Sequence, residues 1–225
     1  MHIEPGIVDG SKIVLSYLTA GGVGVYALSL AGKHLKGRGL GSLMASTAAT
    51  TALVLVFFQV FPHVPVGVSE VHLILGSTLF LLFGAAPAAF GLALGLLTQG
   101  LFFAPFDLPQ YGMNVTTLLV PLFALQYVAG KTIAPQTRYV DLKYRQALAL
   151  STTYQAGIVS WVTFWAIYGE GFSVQTIASV ATFGAAYMSV IVLEPLADLA
   201  VLAGAKALHR FRDGAWLEPR LFHPA

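Results

Sequence analysis

The chain has 225 residues, of which 56% are hydrophobic and 10% charged, with a mean hydropathy of +0.76 and a formal net charge of +2. A soluble domain carries about 25% charged residues, so too few polar side chains are present to clothe a water-facing surface, and the composition specifies an all-α polytopic membrane helical bundle. Long Leu-, Ala- and Gly-rich runs exclude the short alternating segments of a β-barrel, and the lack of cysteine excludes disulfides, thiolate catalysis and Cys-ligated metal.

The chain opens "MHIEPGIVDG", acidic and turn-like, without the basic region and apolar core of a signal peptide. Apolar segments follow at 13–31, 41–61, 71–86, 88–104, 114–130, 146–168 and 174–204. A span needs about 20 apolar residues. The third and fourth segments are short and divided by Pro87, and a bent pair that does not fully cross is their alternative reading. The seventh is long and contains Glu194-Pro195, where a kink or break is expected. The chain therefore reads as one integral membrane domain: a segment at 1–12, about seven transmembrane helices over 13–204, and a tail at 205–225. Nothing resembles a second domain or linker.

Basic residues set the orientation. Lys33, Lys36 and Arg38 lie between segments one and two. Lys131, Arg138, Lys143 and Arg145 lie between five and six, and Lys206, Arg210, Arg212 and Arg220 follow seven. With seven spans all three groups fall on one side, the cytoplasm, with the N-terminus outside and the C-terminus inside. These clusters are a topology signal, and no nucleic-acid footprint is present.

On the first segment Ala20, Gly24, Ala27 and Ala31 form a stripe of small residues at helical spacing. Such a stripe lets another helix approach closely in lipid. It serves either packing within the subunit or docking of a membrane partner. Gly84, Ala88, Gly91 and Gly95 suggest further tight packing, most simply internal.

The first two residues carry chemistry. The α-amine of Met1, the amide between Met1 and His2, and imidazole Nδ1 of His2 close a five- and a six-membered chelate ring. Three nitrogens then lie in one plane around a metal, and the fourth corner needs a donor from elsewhere. A nitrogen-rich plane suits Ni(II) or Cu(II), and Co(II) where the protein enforces the geometry. Loss of the amide proton removes one unit of charge, which helps a divalent ion enter an apolar interior. His2 is bulky, so Met1 is expected to be retained. A histidine at position two also occurs by chance, and short motifs carry false positives.

His72, in "GVSEVHLILG" at 67–76, opens an apolar segment at its outer end. Ionisable residues inside membrane segments are functional candidates, and the plain alternative is a headgroup-level histidine. Glu70 lies two residues away and need not share a helical face with it. His63 sits in the preceding loop, while His34, His209 and His223 accompany the basic groups.

"MHIEPG" at the start, "VPVGVSEVHLILG" at 64–76 and "LFFAPFDLPQYGMNV" at 101–115 occur in that order. Together they resemble the CbiM/NikM-type substrate-binding membrane subunits of cobalt and nickel energy-coupling-factor transporters, over most of the chain. The resemblance implies that the N-terminal segment folds back into the bundle, with Co2+ or Ni2+ held as transported substrate by Met1, His2 and His72. It also implies supporting roles for Asn114, Ser69 and Glu70, and an Ala20–Ala31 stripe that docks a coupling subunit. Asn114 matches the first asparagine of the family's Gly-x-Asn-x-x-Asn pattern, but Thr117 replaces the second. The His-x-Pro stretch before a Glu in many relatives is missing from "AAYMSVIVLEP"; Glu194 matches that Glu, with Pro195 as a departure.

No phosphate-cradling Gly-x-x-x-x-Gly-Lys loop is present. The chain is therefore expected to act as no enzyme, but with a transmembrane coupling subunit and two cytoplasmic ATPases in the lipid of a prokaryotic inner membrane. Two other readings remain at this level. One is an intramembrane metal-dependent hydrolase or quinone-type oxidoreductase using His72 with Glu70 or Glu194. The other is a vitamin-type small-molecule binder lined by Trp161, Phe164, Trp165 and Tyr168, although four aromatics near a membrane boundary also read as an interfacial belt.

Overall fold

The computed structural model describes residues 3–134 and 137–210. Met1, His2 and the tail from 211 onward, including Arg212, Arg220 and His223, lie outside the described residues. Within them the chain is a helical bundle with one small strand element. In order come α1 (Ile13–Gln59), β1 (Val64–Val66), β2 (Ser69–Val71), α2 (Gly76–Phe83), α3 (Ala85–Phe102), α4 (Tyr111–Thr132), α5 (Tyr144–Glu170) and α6 (Val174–Arg210). Short 3-10 turns at Gly10–Lys12, Pro105–Gln110 and Tyr139–Asp141 join them. Among the described residues four stretches are long and apolar enough to cross a membrane: Gly10–Gln59, Ala85–Phe102, Pro105–Thr132 and Val174–Ala207.

The first of these is two arms. Gly39 breaks α1 with φ 78° and ψ 171°, a backbone conformation open to glycine and costly for other residues. The bend is sharp: His34 Nε2 and Ser42 Oγ lie 3.2 Å apart, whereas eight residues of straight helix advance about 12 Å. The second arm then packs on α3 through missing side chains. A Cβ on Gly91 would lie 2.1 Å from Thr50 Oγ1, and one on Gly95 2.5 Å from Val54 Cγ1. Thr50 Oγ1 also donates to the Pro87 carbonyl at 2.8 Å. Gly91 and Gly95 therefore serve internal packing.

Two sequence expectations are revised here. The third and fourth segments part at Gly84 (φ 89°), and Pro87 lies in the first turn of α3, where its missing N–H is harmless. At the other site α6 continues through Pro195 without a break.

The third segment also differs from a plain helix. β1 and β2 form an antiparallel hairpin pairing Val64 with Val71 and Val66 with Ser69. Residues 72–75 follow without regular structure, and α2 supplies eight residues. His72 therefore sits between strand and helix, and does not open a helix as expected from its apolar surroundings. The helical-face argument that separated it from Glu70 does not apply on this backbone. Leu75, with φ 54° and ψ 34°, is the one non-glycine with positive φ among the described residues. Irregular backbone at membrane depth persists only where protein satisfies it, and α6 does so here.

Candidate metal centre

The N-terminal segment is built into one end of the bundle. Ile3 is 0% exposed and pairs antiparallel with Ser69, so it extends the β1–β2 hairpin by one bridge. The Ile3 N–H donates to Asn114 Oδ1 at 2.8 Å, and the Glu4 N–H donates to the Val68 carbonyl at 3.2 Å. Further along, the segment presses against the end of α5: a Cβ on Gly169 would lie 1.9 Å from the Ile7 carbonyl oxygen, and Lys12 Nζ donates to the Gly169 carbonyl at 2.7 Å. Tyr17 Oη reaches the Pro109 carbonyl at 3.1 Å. Burial of Ile3 and Val8 supplies the apolar driving force, and each buried backbone donor named finds an acceptor.

His72 is 2% exposed. Its ring meets Phe58 edge-on at 4.6 Å, and Nδ1 lies 3.0 Å from the Leu73 carbonyl oxygen. A carbonyl only accepts, so Nδ1 carries the hydrogen and Nε2 is the basic nitrogen of the neutral ring. That tautomer suits a metal ligand, since ligating histidines characteristically donate their second N–H to a carbonyl or carboxylate.

Of the residues singled out from sequence, Ser69 and Asn114 are buried and meet at Ile3. Glu70 is on β2 between Ser69 and the His72 turn. Glu4 and Asp107 stand near enough to Glu70 to feel its charge. Burial first, and then the Glu70 carboxylate, hold the Glu4 carboxyl above its ordinary range. Among the described residues no three His, Asp or Glu side chains gather closely enough to hold a metal. A cation bound here by described side chains alone would find too few donors. The small-residue stripe divides. Ala27 and Ala31 are buried, Ala31 packing with Leu30 and Ala86, whereas Ala20 and Gly24 are half-buried. Intramolecular packing thus takes up half of the expected docking face, because the sharp bend at Gly39 folds the second arm and α3 against it. The face of this arm left exposed is instead Val14, Leu18, Val25 and Leu28.

Sequence reasoning left the role of Glu194 open. It is 0% exposed on α6 and accepts the Ile74 N–H and the Gln155 side-chain amide, with the Leu75 N–H directed at the same carboxylate. Gln155 is held in turn by Tyr187 Oη at 2.6 Å. One turn on, Asp198 accepts the Ser77 and Thr78 hydroxyls at the start of α2. Among the described residues the partners of Glu194 are therefore amides, and it reaches His72 only through the Leu73–Ile74 peptide. Trp165 is fully buried in the core and meets Trp161, Phe164 and Tyr168 edge-on, with Phe164 left exposed.

A family model described as "Cobalt uptake substrate-specific transmembrane region" matches residues 2–212. Two solved structures share the fold at 15% identity. One, described as a truncated transition metal transporter, aligns with a TM-score of 0.63 over 94% of this chain and 97% of its own. The other, described as a transition metal transporter, aligns with a TM-score of 0.66 over 99% and 98%. No protein of curated function matches the sequence.

Proposed function

The chain belongs to the CbiM family of cobalt uptake substrate-specific transmembrane regions, and we propose that it captures Co2+ or Ni2+ through the Met1 amine, the Met1–His2 amide, the His2 imidazole and His72 Nε2. It is a multi-pass inner-membrane subunit of substrate-binding type, not an enzyme. That membership selects transition-metal transport over the vitamin-type and intramembrane-enzyme readings.

The observation that carries the ligand set is the anchoring of Ile3 between Ser69 and Asn114. The bridge places Ile3 on the hairpin strand that leads, three residues after Ser69, into His72. Four nitrogens, one of them a deprotonated amide, suit Ni(II) first and Co(II) where the fold enforces the plane. That no three His, Asp or Glu side chains gather among the described residues fits a site completed by main-chain nitrogen.

Seven crossings with the N-terminus outside complete the reading. Residues 72–83 cross as four irregular residues followed by the helix α2, at most roughly 25 Å in all from the rises of strand and helix. This segment begins at the hairpin beside Ile3. It ends in a cleft shared by Lys33, Arg38, Phe83 and Gly84, which supports putting the basic residues at the opposite, cytoplasmic end. Release of the bound ion to the inside then needs a transmembrane coupling subunit and two cytoplasmic ATPases.

The experiment is nickel and cobalt titration of protein purified with its native N-terminus, beside a version extended by one residue before Met1. The extension moves the amine out of the first chelate ring, and binding should be abolished. Retained affinity in the extended protein would refute the chelate.

A further inference from the structure

Beyond the ligands, one peptide unit joins the candidate centre to α6. The peptide between Leu73 and Ile74 offers its carbonyl to His72 Nδ1 at 3.0 Å and its N–H to the Glu194 carboxylate. The peptide is planar, so fixing the direction of its N–H fixes the direction of its carbonyl. A carboxylate, a peptide and an imidazole thus stand in series, as carboxylate and imidazole do directly in many metal sites. Hydrogen bonds in such a chain polarise one another.

We propose that Glu194 is a positioning residue for metal capture, holding the Leu73–Ile74 peptide so that His72 keeps its hydrogen on Nδ1 and presents Nε2 to the ion. This rests on the reading of His72 as a ligand. The local backbone needs such a hold. Leu75 next to it is left-handed without being glycine, a conformation that persists only where surroundings enforce it. Gly76 lies directly against Tyr154, since a Cβ there would stand 2.3 Å from the ring, so α5 confines the turn from its other side. Glu194 is itself steadied by Gln155, and Gln155 by Tyr187, so the orientation is set by α5 and α6 together. Asp198 separately secures the start of α2 through Ser77 and Thr78. The two carboxylates therefore divide the work: Asp198 seats the helix and Glu194 aims the turn before it.

The test compares Glu194→Met, which keeps volume and removes the acceptor, with Glu194→Gln, which keeps an acceptor for the Ile74 N–H and removes the charge. Two readouts are taken on the full chain with its native N-terminus. One is Ni2+ affinity by titration. The other is the His72 tautomer in metal-free protein, from nitrogen-15 histidine NMR with His72→Ala to assign the signal. Glu194→Met should weaken Ni2+ binding by about tenfold or more, the range found for partners of ligating histidines, and mix the His72 tautomers. Glu194→Gln should stay within about threefold of wild type on that scale and keep the Nδ1–H form. Wild-type affinity and tautomer in Glu194→Met would overturn the proposal, as would a Glu194→Gln protein as impaired as Glu194→Met. Should Glu194→Met not fold, Gln155→Leu frees the carboxylate to swing, and unchanged readouts there overturn it equally. The tautomer needs no metal, so a wild type that binds neither Ni2+ nor Co2+ sinks the transport ligand set while the imidazole signal still decides this one.

Discussion

Replacing Asn114 by alanine tests whether the anchoring of the N-terminal segment sets metal affinity. Asn114 is 1% exposed, and its Oδ1 takes the Ile3 N–H at 2.8 Å. Alanine leaves that N–H buried without its acceptor, which costs about 1–3 kcal/mol. If the segment must dock to complete the chelate, this penalty passes into affinity at about 1.4 kcal/mol per tenfold, or roughly 5- to 150-fold. Part of it is returned. Asn114 Nδ2 is buried with no hydrogen-bond partner among the described residues, and alanine removes that group too. The expected weakening therefore lies in the lower half, about tenfold. Calorimetric titration of Ni2+ into detergent-purified protein reads it, with thermal unfolding as a control that the bundle persists. A folded Asn114→Ala protein with a Kd within about twofold of wild type, against the tenfold worked above, would refute the coupling between Ile3 and the ion.

Gly169→Ala puts a Cβ 1.9 Å from the Ile7 carbonyl oxygen, where ordinary contact begins near 3.4 Å. The segment must shift, and Ni2+ binding should fall while helix content by circular dichroism stays unchanged. His72→Ala opens one corner of the plane and should weaken Ni2+ titration strongly; unchanged isotherms would remove His72 from the ligand set. Affinity should drop on acidification below about pH 6–7, as imidazole and amine, with reference pKa values of about 6.5 and 8, compete with the ion for protons. Glu4 acts with the opposite sign. Its carboxyl pKa is raised in the docked segment by burial and then by Glu70. Its contribution to docking is therefore full below the ordinary carboxyl pKa and lost as pH rises through the raised one. Removing it by Glu4→Gln should make the acid loss of affinity steeper, which parallel titrations across pH would read.

Much of this protein is determined by local sequence alone. Helix-length apolar runs fixed the bundle, because lipid leaves backbone polar groups no partner but one another. The arms of α1, α4, α5 and α6 follow the segments read from hydropathy. The resemblance of the "MHIEPG", "SEVHL" and "GMN" stretches to the CbiM/NikM type singled out Ser69, His72 and Asn114, while the chemistry of a histidine inside an apolar segment pointed to His72 independently. Tertiary structure decided the rest. Gly84 and not Pro87 parts α2 from α3, since a proline is tolerated in the first turn of a helix and the positive φ needed there is a property of the turn. Residues 73–75 are as apolar as any helix, yet they are irregular, and Glu194, about 120 positions away, accepts an N–H that a helix would have satisfied internally. The stripe on the first arm could not say which of its members face inward until α3 was packed against them. Hydropathy records what a residue prefers to leave, water; it does not record which distant carboxylate or glycine will meet it.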